Sequence, residues 1–161
     1  MSKHPLENVE LTNMCMVYDP TTGKVLVQNR TKKQYDGIAF PGGHTEPGEP
    51  LVPSVIREVM EETGLTIANV VPCGFKDWYY PSENKRYLVL LFKTSTFRGK
   101  LKPHSHEGDN LWLTLDEIKN SRTAEYFLDM LPIFLGENQQ TEMFFTDVEN
   151  QPSADWRKII Y

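Results

Sequence analysis

The segment "REVMEETG", residues 57–64, places three glutamates, Glu58, Glu61 and Glu62, within eight positions. On an α-helix, residues at spacings of three and four share one side, so these carboxylates fall on one stripe, where like charges repel each other. One interpretation is a solvated acidic surface. The other is a site for a hard divalent cation, because carboxylate oxygens are ligands that Mg²⁺ and Mn²⁺ prefer and a bound cation would relieve the repulsion.

Two neighbouring features favour the cation site. Arg57 directly precedes the cluster and can pair with Glu61 four residues on, which would orient that carboxylate. The preceding loop "PGGHTEPGE", residues 41–49, contains three glycines whose backbone can bring carbonyl oxygens close to the helix. A cation held there would in turn bind phosphate oxygens of a ligand.

A helix over residues 51–63 must carry the glutamates. Gly64 suits the left-handed position that follows a helix C-terminus. The expected packing side of the helix lies on a different arc from the glutamates and consists of Val52, Ile56, Val59 and Thr63. The three carboxylates are therefore expected to point away from the core.

The other segments predict a mixed sheet with helices packed on it. Strands are expected over residues 11–18, 24–28, 70–80, 86–94, 109–115 and 142–148, and further helices over residues 115–120 and 123–135. The irregular alternation of strands and helices, without repeats or linkers, indicates one α/β domain over residues 1–161. Residues 149–161 predict an extended tail, and its apolar Trp156, Ile159 and Ile160 are expected to dock on the domain or across a homodimer interface.

Composition excludes several classes of protein. The 161 residues are 39% hydrophobic and 24% charged, which is an ordinary globular balance. A net charge of −5 gives no global basic field for a nucleic acid polymer, so an anionic ligand must be held locally. The longest apolar run, residues 87–92, is too short to span a bilayer, and "MSKHPLENVE" has no apolar signal core. With Cys15 and Cys73 expected as buried free thiols, a cytoplasmic protein without a membrane partner is predicted.

Residues 43–65, "GHTEPGEPLVPSVIREVMEETGL", resemble the Nudix box. That pattern is Gly, five residues, Glu, seven residues, and then Arg-Glu-apolar-any-Glu-Glu-any-Gly-apolar. All its fixed positions match, at Gly43, Glu49, Arg57, Glu58, Val59, Glu61, Glu62, Gly64 and Leu65. The resemblance implies a Nudix-type α/β/α sandwich with a mixed β-sheet. It also implies hydrolysis of a nucleoside diphosphate linked to a group X, with Mg²⁺ or Mn²⁺ as cofactor.

The resemblance also assigns roles to individual residues of the box. Glu58, Glu61 and Glu62 would hold the metal, and the carbonyl of Gly42 would add a ligand. Glu49 would support the site, while Arg57 would orient a glutamate rather than touch the substrate.

One residue outside the box is implicated as well. A carboxylate must take a proton from the attacking water, and family members differ in which glutamate does so. Glu58 is the first choice, and Glu107 in the loop "HSHEGD" is the reserve, because the family often places another metal-binding glutamate before its late strand. His104 and His106 in that loop have no third nitrogen or sulfur ligand nearby, so zinc has little support.

Substrate contacts are less constrained, and two interpretations stay open for most candidates. Arg30, Lys32 and Lys33 form a small basic cluster that is either a solvated loop or a phosphate contact. Trp78, Tyr79 and Tyr80 could stack on a base, or pack in the core; Phe40 could be core or the wall of a nucleoside pocket. The predicted substrate-binding residues are Arg30, Phe40, Gly43, Tyr79 and Asn110.

The first functional hypothesis is a (d)NTP pyrophosphohydrolase of the 8-oxo-dGTP diphosphatase type, similar to the MutT branch of the family. The compact length and the lack of an added domain favour a small nucleotide substrate. The alternative enzyme would act on ADP-ribose, a nucleotide sugar or a dinucleoside polyphosphate. A third hypothesis is a non-catalytic nucleotide-binding module, against which the intact set of glutamates argues.

Overall fold

The computed structural model describes residues 4–31 and 35–161. Ten strands and three α-helices are found in these ranges. In chain order they are β1 (Asn8–Asp19), β2 (Lys24–Arg30), β3 (Gly37–Ala39), α1 (Leu51–Thr63), β4 (Leu65–Ala68), β5 (Val71–Tyr80), β6 (Lys85–Thr94), β7 (Thr96–Gly99), β8 (Gly108–Leu113), α2 (Leu115–Lys119), α3 (Phe127–Leu135), β9 (Glu142–Thr146) and β10 (Arg157–Ile160).

Eight of the described strands form one mixed sheet. Its order is β10-β9-β5-β6-β1-β2-β3, and β8 pairs with the other side of β2. The pairs β1–β6 and β5–β9 are parallel, and the remaining pairs are antiparallel. β4 and β7 form a separate two-stranded sheet. The prediction of a mixed sheet is confirmed.

The sheet separates two hydrophobic cores. Because side chains alternate along a strand, Cys15 and Val17 of β1 face one core while Met16 between them faces the other. The first core contains Val55 and Val59 of α1, and the second contains the buried side chains of α2 and α3. Helices on both faces of a mixed sheet make the predicted α/β/α sandwich, which is confirmed.

Helix α1 has the predicted bounds, but its buried side is rotated from the predicted one. Gly64 follows it with φ 77°, and its N–H donates to the carbonyl of Met60 at 2.9 Å. Val52 is 39% exposed, which contradicts its assignment to the packing side. The buried positions of the helix are Ser54, Val55, Val59, Glu62 and Thr63. Apolar periodicity misplaced this side because two polar residues that find hydrogen bonds, Ser54 and Glu62, share it.

The other differences from the predicted elements are local. Helix α3 begins at Phe127 rather than at residue 123, because Tyr126 before it adopts a left-handed conformation with φ 58°. In the tail, β10 pairs with β9, and the ring of Trp156 lies 5.5 Å from that of Trp78. Both cysteines are free; Cys15 is buried and Cys73 is half-buried. In the two described ranges, no helix combines the length and the apolar character needed to cross a membrane.

Candidate active site

The glycine-rich loop lies directly against β1. Asn13 donates its backbone N–H to the carbonyl of Gly43 at 2.8 Å, and Cys15 donates to that of Pro41 at 2.9 Å. A Cβ on Gly42 would lie 2.1 Å from the carbonyl oxygen of Asn13, so no larger residue fits there. A Cβ on Gly43 would lie 2.4 Å from the carboxylate of Glu58. The missing side chains therefore let the loop touch both the strand and the acidic helix.

Arg57 makes the expected pair with Glu61, but its main partner is Glu49. Its Nε and Nη2 donate to the two carboxylate oxygens of Glu49 at 2.8 and 2.9 Å. Its Nη1 donates to Glu58 at 2.9 Å and to Glu61 at 3.3 Å. A bidentate pair is stronger than a long contact to a carboxylate that is 58% exposed. Arg57 therefore pairs most strongly with Glu49, and its contact to Glu58 at 2.9 Å is closer than its contact to Glu61 at 3.3 Å.

This network keeps both partners charged. The guanidinium of Arg57 and the backbone N–H of Glu46 hold the pKa of Glu49 low, at about 2. Hydrogen bonds from Arg57 to Glu49 and Glu58 raise the pKa of the guanidinium above its ordinary value. Arg57 also donates to the carbonyl of His44 at 3.0 Å, so it joins the glycine-rich loop to α1.

Glu62 is buried, although all three glutamates were expected to point away from the core. It is only 4% exposed, and its Oε2 accepts the backbone N–H of Gly42 at 3.1 Å. Burial raises its pKa to about 7, against the opposing charge of Arg30 and the bond from Gly42. The three glutamates thus occupy three environments, since the side chain of Glu58 is 14% exposed and that of Glu61 58%.

Glu107 reaches the same place from the other side. Its Oε2 lies 3.8 Å from Nη2 of Arg30, which is itself 4.0 Å from Oε1 of Glu62. Glu62, His106 and Glu107 each offer a ligand atom within 4.8 Å of the others. Two carboxylates 45 positions apart in sequence therefore meet beside the acidic helix. Asp109 is not among them, because it pairs with His104.

The residues of this site fit a hard divalent cation. Five carboxylates, those of Glu49, Glu58, Glu61, Glu62 and Glu107, surround the guanidinium groups of Arg30 and Arg57 in the described part of the chain. When all are ionised, the acidic charge exceeds the basic charge by three. Oxygen ligands from two facing elements, with this excess of negative charge, are what Mg²⁺ or Mn²⁺ requires.

Several predicted substrate contacts lie elsewhere. Phe40 is fully buried, with its ring 4.8 Å from that of Phe127, so the structure contradicts its role as a pocket wall. Trp78 is buried and stacks on Tyr87 at 4.4 Å. Tyr79 donates its hydroxyl to Asn84 at 2.8 Å. These aromatic side chains make their contacts with other residues of the protein.

Of the remaining substrate candidates, some lie in the site, and Asn110 lies behind it and bonds to the backbone. Arg30 lies in the site, whereas Lys32 and Lys33 fall outside the described residues. Gly43 lines the site beside Glu58. Asn110 is 4% exposed, and its amide donates to the carbonyls of Glu62 and Lys102, both at 2.9 Å, so the structure contradicts its assignment as a substrate contact.

A family model described as "NUDIX domain" matches residues 11–131 of the chain. The chain belongs to the Nudix family. The resemblance of residues 43–65 to the Nudix box is therefore confirmed by a match over most of the sequence.

Curated relatives of this Nudix chain match over part of their length. The NAD-capped RNA hydrolase NudC of Vibrio vulnificus (strain CMCP6) is 36% identical over 77 residues, which are 47% of this chain and 28% of that protein. The Mus musculus protein named nucleoside diphosphate-linked moiety X motif 6 is 47% identical over 49 residues, which are 30% of this chain and 16% of that protein. The chain thus matches less than a third of either relative.

Solved structures show the same fold over most of the chain. The MutT protein of Bacillus halodurans has a TM-score of 0.71 at 23% identity, and the match covers 92% of this chain and 97% of that one. The Nudix domain of Shewanella oneidensis NrtR, solved with ADP ribose, has a TM-score of 0.63 at 15% identity and covers 82% of this chain and 88% of that one.

Sequence reasoning missed His106 as a part of this Nudix site and assigned a different role to Asn110. His106 joins Glu62 and Glu107, and its adjacency to Glu107 was the signal that could have suggested this. Asn110 supports the site through the backbone of α1. No pattern in the sequence reveals that contact, because it depends on the pairing of β8 with β2.

Proposed function

We propose that this protein hydrolyses the pyrophosphate bond of a nucleoside diphosphate linked to a second group, with Mg²⁺ or Mn²⁺ as cofactor. The observation that carries this proposal is the convergence of Glu62 on α1 with Glu107 before β8. An acidic helix surface without function would not need a buried glutamate or an opposing carboxylate from another element.

The roles of the protein groups follow from their contacts. Glu62 uses Oε2 for the N–H of Gly42, which leaves Oε1 on the side of Arg30 and Glu107 to bind a cation. Glu58 is fixed by Arg57 through Oε1, while its Oε2 lies against Gly43. When bound, the cation would neutralise phosphate oxygens and lower the pKa of the attacking water. Glu58 is our first choice to accept the proton of that water, with Glu107 as the alternative.

Arg30 is the proposed phosphate contact. Its side chain is 14% exposed, and its Nε is buried without a hydrogen-bond partner in the described ranges. The distances of 3.8 and 4.0 Å from its Nη2 to Glu107 and Glu62 are longer than those of direct hydrogen bonds. A phosphate oxygen at hydrogen-bond distance would lie closer to this guanidinium than either of these two carboxylates does.

For the substrate, we favour a (d)NTP of the 8-oxo-dGTP type, released as a monophosphate and pyrophosphate. The MutT protein of Bacillus halodurans supports this through its fold, which extends over nearly the whole of both chains. The alternative is a dinucleotide or ADP-ribose, which the NudC relatives and the NrtR complex with ADP ribose support. The net charge of −5 favours a small nucleotide over a nucleic acid polymer in either case.

A substrate panel tests the proposal. The protein is incubated with dGTP, 8-oxo-dGTP, ADP-ribose, NAD⁺ and diadenosine tetraphosphate, with Mg²⁺ or with EDTA, and the products are separated by chromatography. We expect the highest kcat/KM for 8-oxo-dGTP and no turnover in EDTA. Preference for ADP-ribose or NAD⁺ would select the alternative. Binding without any cleavage would indicate the non-catalytic module, and full activity in EDTA would contradict the cation-dependent mechanism.

Matched variants separate the site from the general acidity of the protein. Glu61→Gln and Glu62→Gln should each lower kcat by roughly 10²–10⁴. Glu137→Gln removes the same charge from an exposed position outside the site and should leave kcat unchanged.

A further inference from the structure

The separation of Glu62 and Glu107 depends on how two distant elements are joined. Mg²⁺ requires near-ideal octahedral geometry with bonds of about 2.0–2.1 Å, so its carboxylate ligands must be held closely in place. Glu62 lies in the last turn of α1, whereas Glu107 lies in the segment that leads into β8. The contacts between that turn and that segment therefore determine whether the two carboxylates can share a cation.

The segment that carries Glu107 also caps the C-terminus of α1. A helix leaves its last four carbonyls without partners in the helix. The carbonyl of Met60 accepts the N–H of Gly64. The next three are all bound by residues 102–110: Glu61 by Lys102 Nζ at 3.2 Å, Glu62 by Asn110 Nδ2 at 2.9 Å and Thr63 by the N–H of Lys102 at 2.8 Å.

Asn110 is the buried member of this cap. Its Nδ2 donates to the carbonyls of Glu62 and Lys102, and its backbone N–H donates to that of Pro103 at 2.9 Å. Asn110, at the end of the loop, therefore connects the C-terminus of α1 to residues 102 and 103 at the start of the loop. Within the loop, the backbone N–H of Ser105 donates to the carbonyl of Gly108, and the Oγ of Ser105 accepts the N–H of Glu107 at 3.1 Å. Glu107 is therefore held in a hydrogen-bonded turn, and Asn110 joins the two ends of the segment that contains this turn.

Packing alone does not explain an asparagine at this position. Its Oδ1 is buried without a hydrogen-bond partner in the described ranges, and so is the amide of its cross-strand neighbour Gln28. A buried acceptor without a donor is unfavourable, so an apolar side chain would pack there at lower cost. The amide of Asn110 contributes through its two donated hydrogen bonds, which fix the backbone of Glu62 relative to the loop of Glu107.

We propose that Asn110 is a positioning residue that fixes the separation of Glu62 and Glu107 and thereby sets the affinity of the site for a divalent cation. This inference rests on the proposed function, because it requires a cation at these carboxylates. Asn110 itself touches neither the cation nor the substrate.

The test is a titration of the full-length protein with Mn²⁺ in the absence of nucleotide, followed by electron paramagnetic resonance. Asn110→Leu removes both donated bonds while keeping the branching and the number of side-chain heavy atoms. It should weaken Mn²⁺ binding by at least ~10-fold, the usual scale for an outer-shell partner. Lys102→Met removes an exposed bond to the same helix end and should change the affinity by less than about 2-fold. Thermal unfolding in EDTA checks that each variant is folded. If Asn110→Leu does not fold, Asn110→Ser, which keeps one donor, should still bind Mn²⁺ more weakly than the wild type, and an unchanged affinity of that variant would overturn the inference.

A double-mutant cycle separates positioning from general support of the fold. In a Glu107→Gln background the second carboxylate ligand is already lost, so adding Asn110→Leu should weaken Mn²⁺ binding by less than about 3-fold. An equal loss in both backgrounds, or unchanged Mn²⁺ affinity in Asn110→Leu, would overturn the inference while leaving the proposed function intact. A wild-type protein that binds no Mn²⁺ would overturn both.

Discussion

At the scale of single residues, the buried carboxyl of Glu62 makes stability depend on pH. Its pKa is about 7 in the folded protein, against an ordinary value of 4.5. The folded state therefore binds this proton more tightly than the unfolded state does. The resulting contribution to the free energy of unfolding is complete below about pH 4.5 and is lost as the pH rises to about 7.

Without a cation, we expect this loss to be about 2–3 kcal/mol between pH 4.5 and 8. Glu62→Gln should abolish that component, because the amide does not titrate. Urea unfolding of both proteins in EDTA across this range measures the difference. Mg²⁺ should restore the stability of the wild type above pH 7, where the carboxylate is free of its proton. Parallel pH profiles of wild type and variant would contradict the burial of a titrating Glu62.

Glu107 and Asp109 flank Gly108 but differ in their surroundings. The side chain of Glu107 is 15% exposed beside Arg30, whereas that of Asp109 is 55% exposed and pairs with His104. We expect Glu107→Gln to lower kcat at least ~10-fold and Asp109→Asn to leave it near the wild-type value. Steady-state rates with Mg²⁺ titrated for each variant provide the comparison. Wild-type behaviour of both variants would show that the general base lies on α1.

The sequence predicted which residues of the box lie together better than it predicted how they pair. Arg57 and its glutamates were identified from the motif, but the dominant pair with Glu49 depends on how the loop folds back over the helix. The burial of Glu62 could not be foreseen either. A charged residue is normally assigned to the exposed side, whereas here the N–H of Gly42 and the positive charge of Arg30 offset part of the cost of burial.

At the scale of elements, the glycine-rich loop offers two neighbouring glycines with different constraints. A Cβ on Gly43 would meet the end of a flexible side chain, that of Glu58, whereas a Cβ on Gly42 would meet the backbone of Asn13. Gly43→Ala should therefore displace the carboxylate and lower kcat/KM by roughly 10-fold or more, with little change in Tm. Gly42→Ala should mainly lower Tm. Activity assays and thermal unfolding of both variants distinguish the two effects, and wild-type kcat/KM in Gly43→Ala would contradict the close contact with Glu58.

The elements that sequence reasoning found are those with their own periodicity. Helix α1 was predicted at its observed bounds because its apolar spacing and Gly64 agree locally. Strands β3, β4, β7 and β10 were missed, and each is only three or four residues long. Such segments become strands through pairing with distant partners, such as β4 with β7, and carry little signal of their own.

At the scale of the whole molecule, the sandwich separates the site from the C-terminal strand. The site lies on the face of the sheet that α1 covers, whereas Trp156 packs with Trp78 and Phe145 on the α3 face. The tail should therefore contribute to stability without taking part in cation binding. Its docking on the domain was one of two expectations from sequence, and the pairing of β10 with β9 confirms it.

Trp156→Ala tests this separation. The variant removes ring contacts at 5.5 Å to Trp78 and 5.8 Å to Phe145 from a half-buried position, so we expect a loss of about 1–3 kcal/mol in the free energy of unfolding. Ile159→Ala removes an apolar side chain of β10 that is 39% exposed, and should cost less than about 1 kcal/mol. Mn²⁺ affinity should be the same in both variants and the wild type, because neither residue contacts the carboxylates. Urea unfolding and Mn²⁺ titration measure the two quantities independently. A Trp156→Ala protein with wild-type stability would mean that the tail contributes nothing to the fold, and one with weakened Mn²⁺ binding would mean that the two faces of the sheet are coupled.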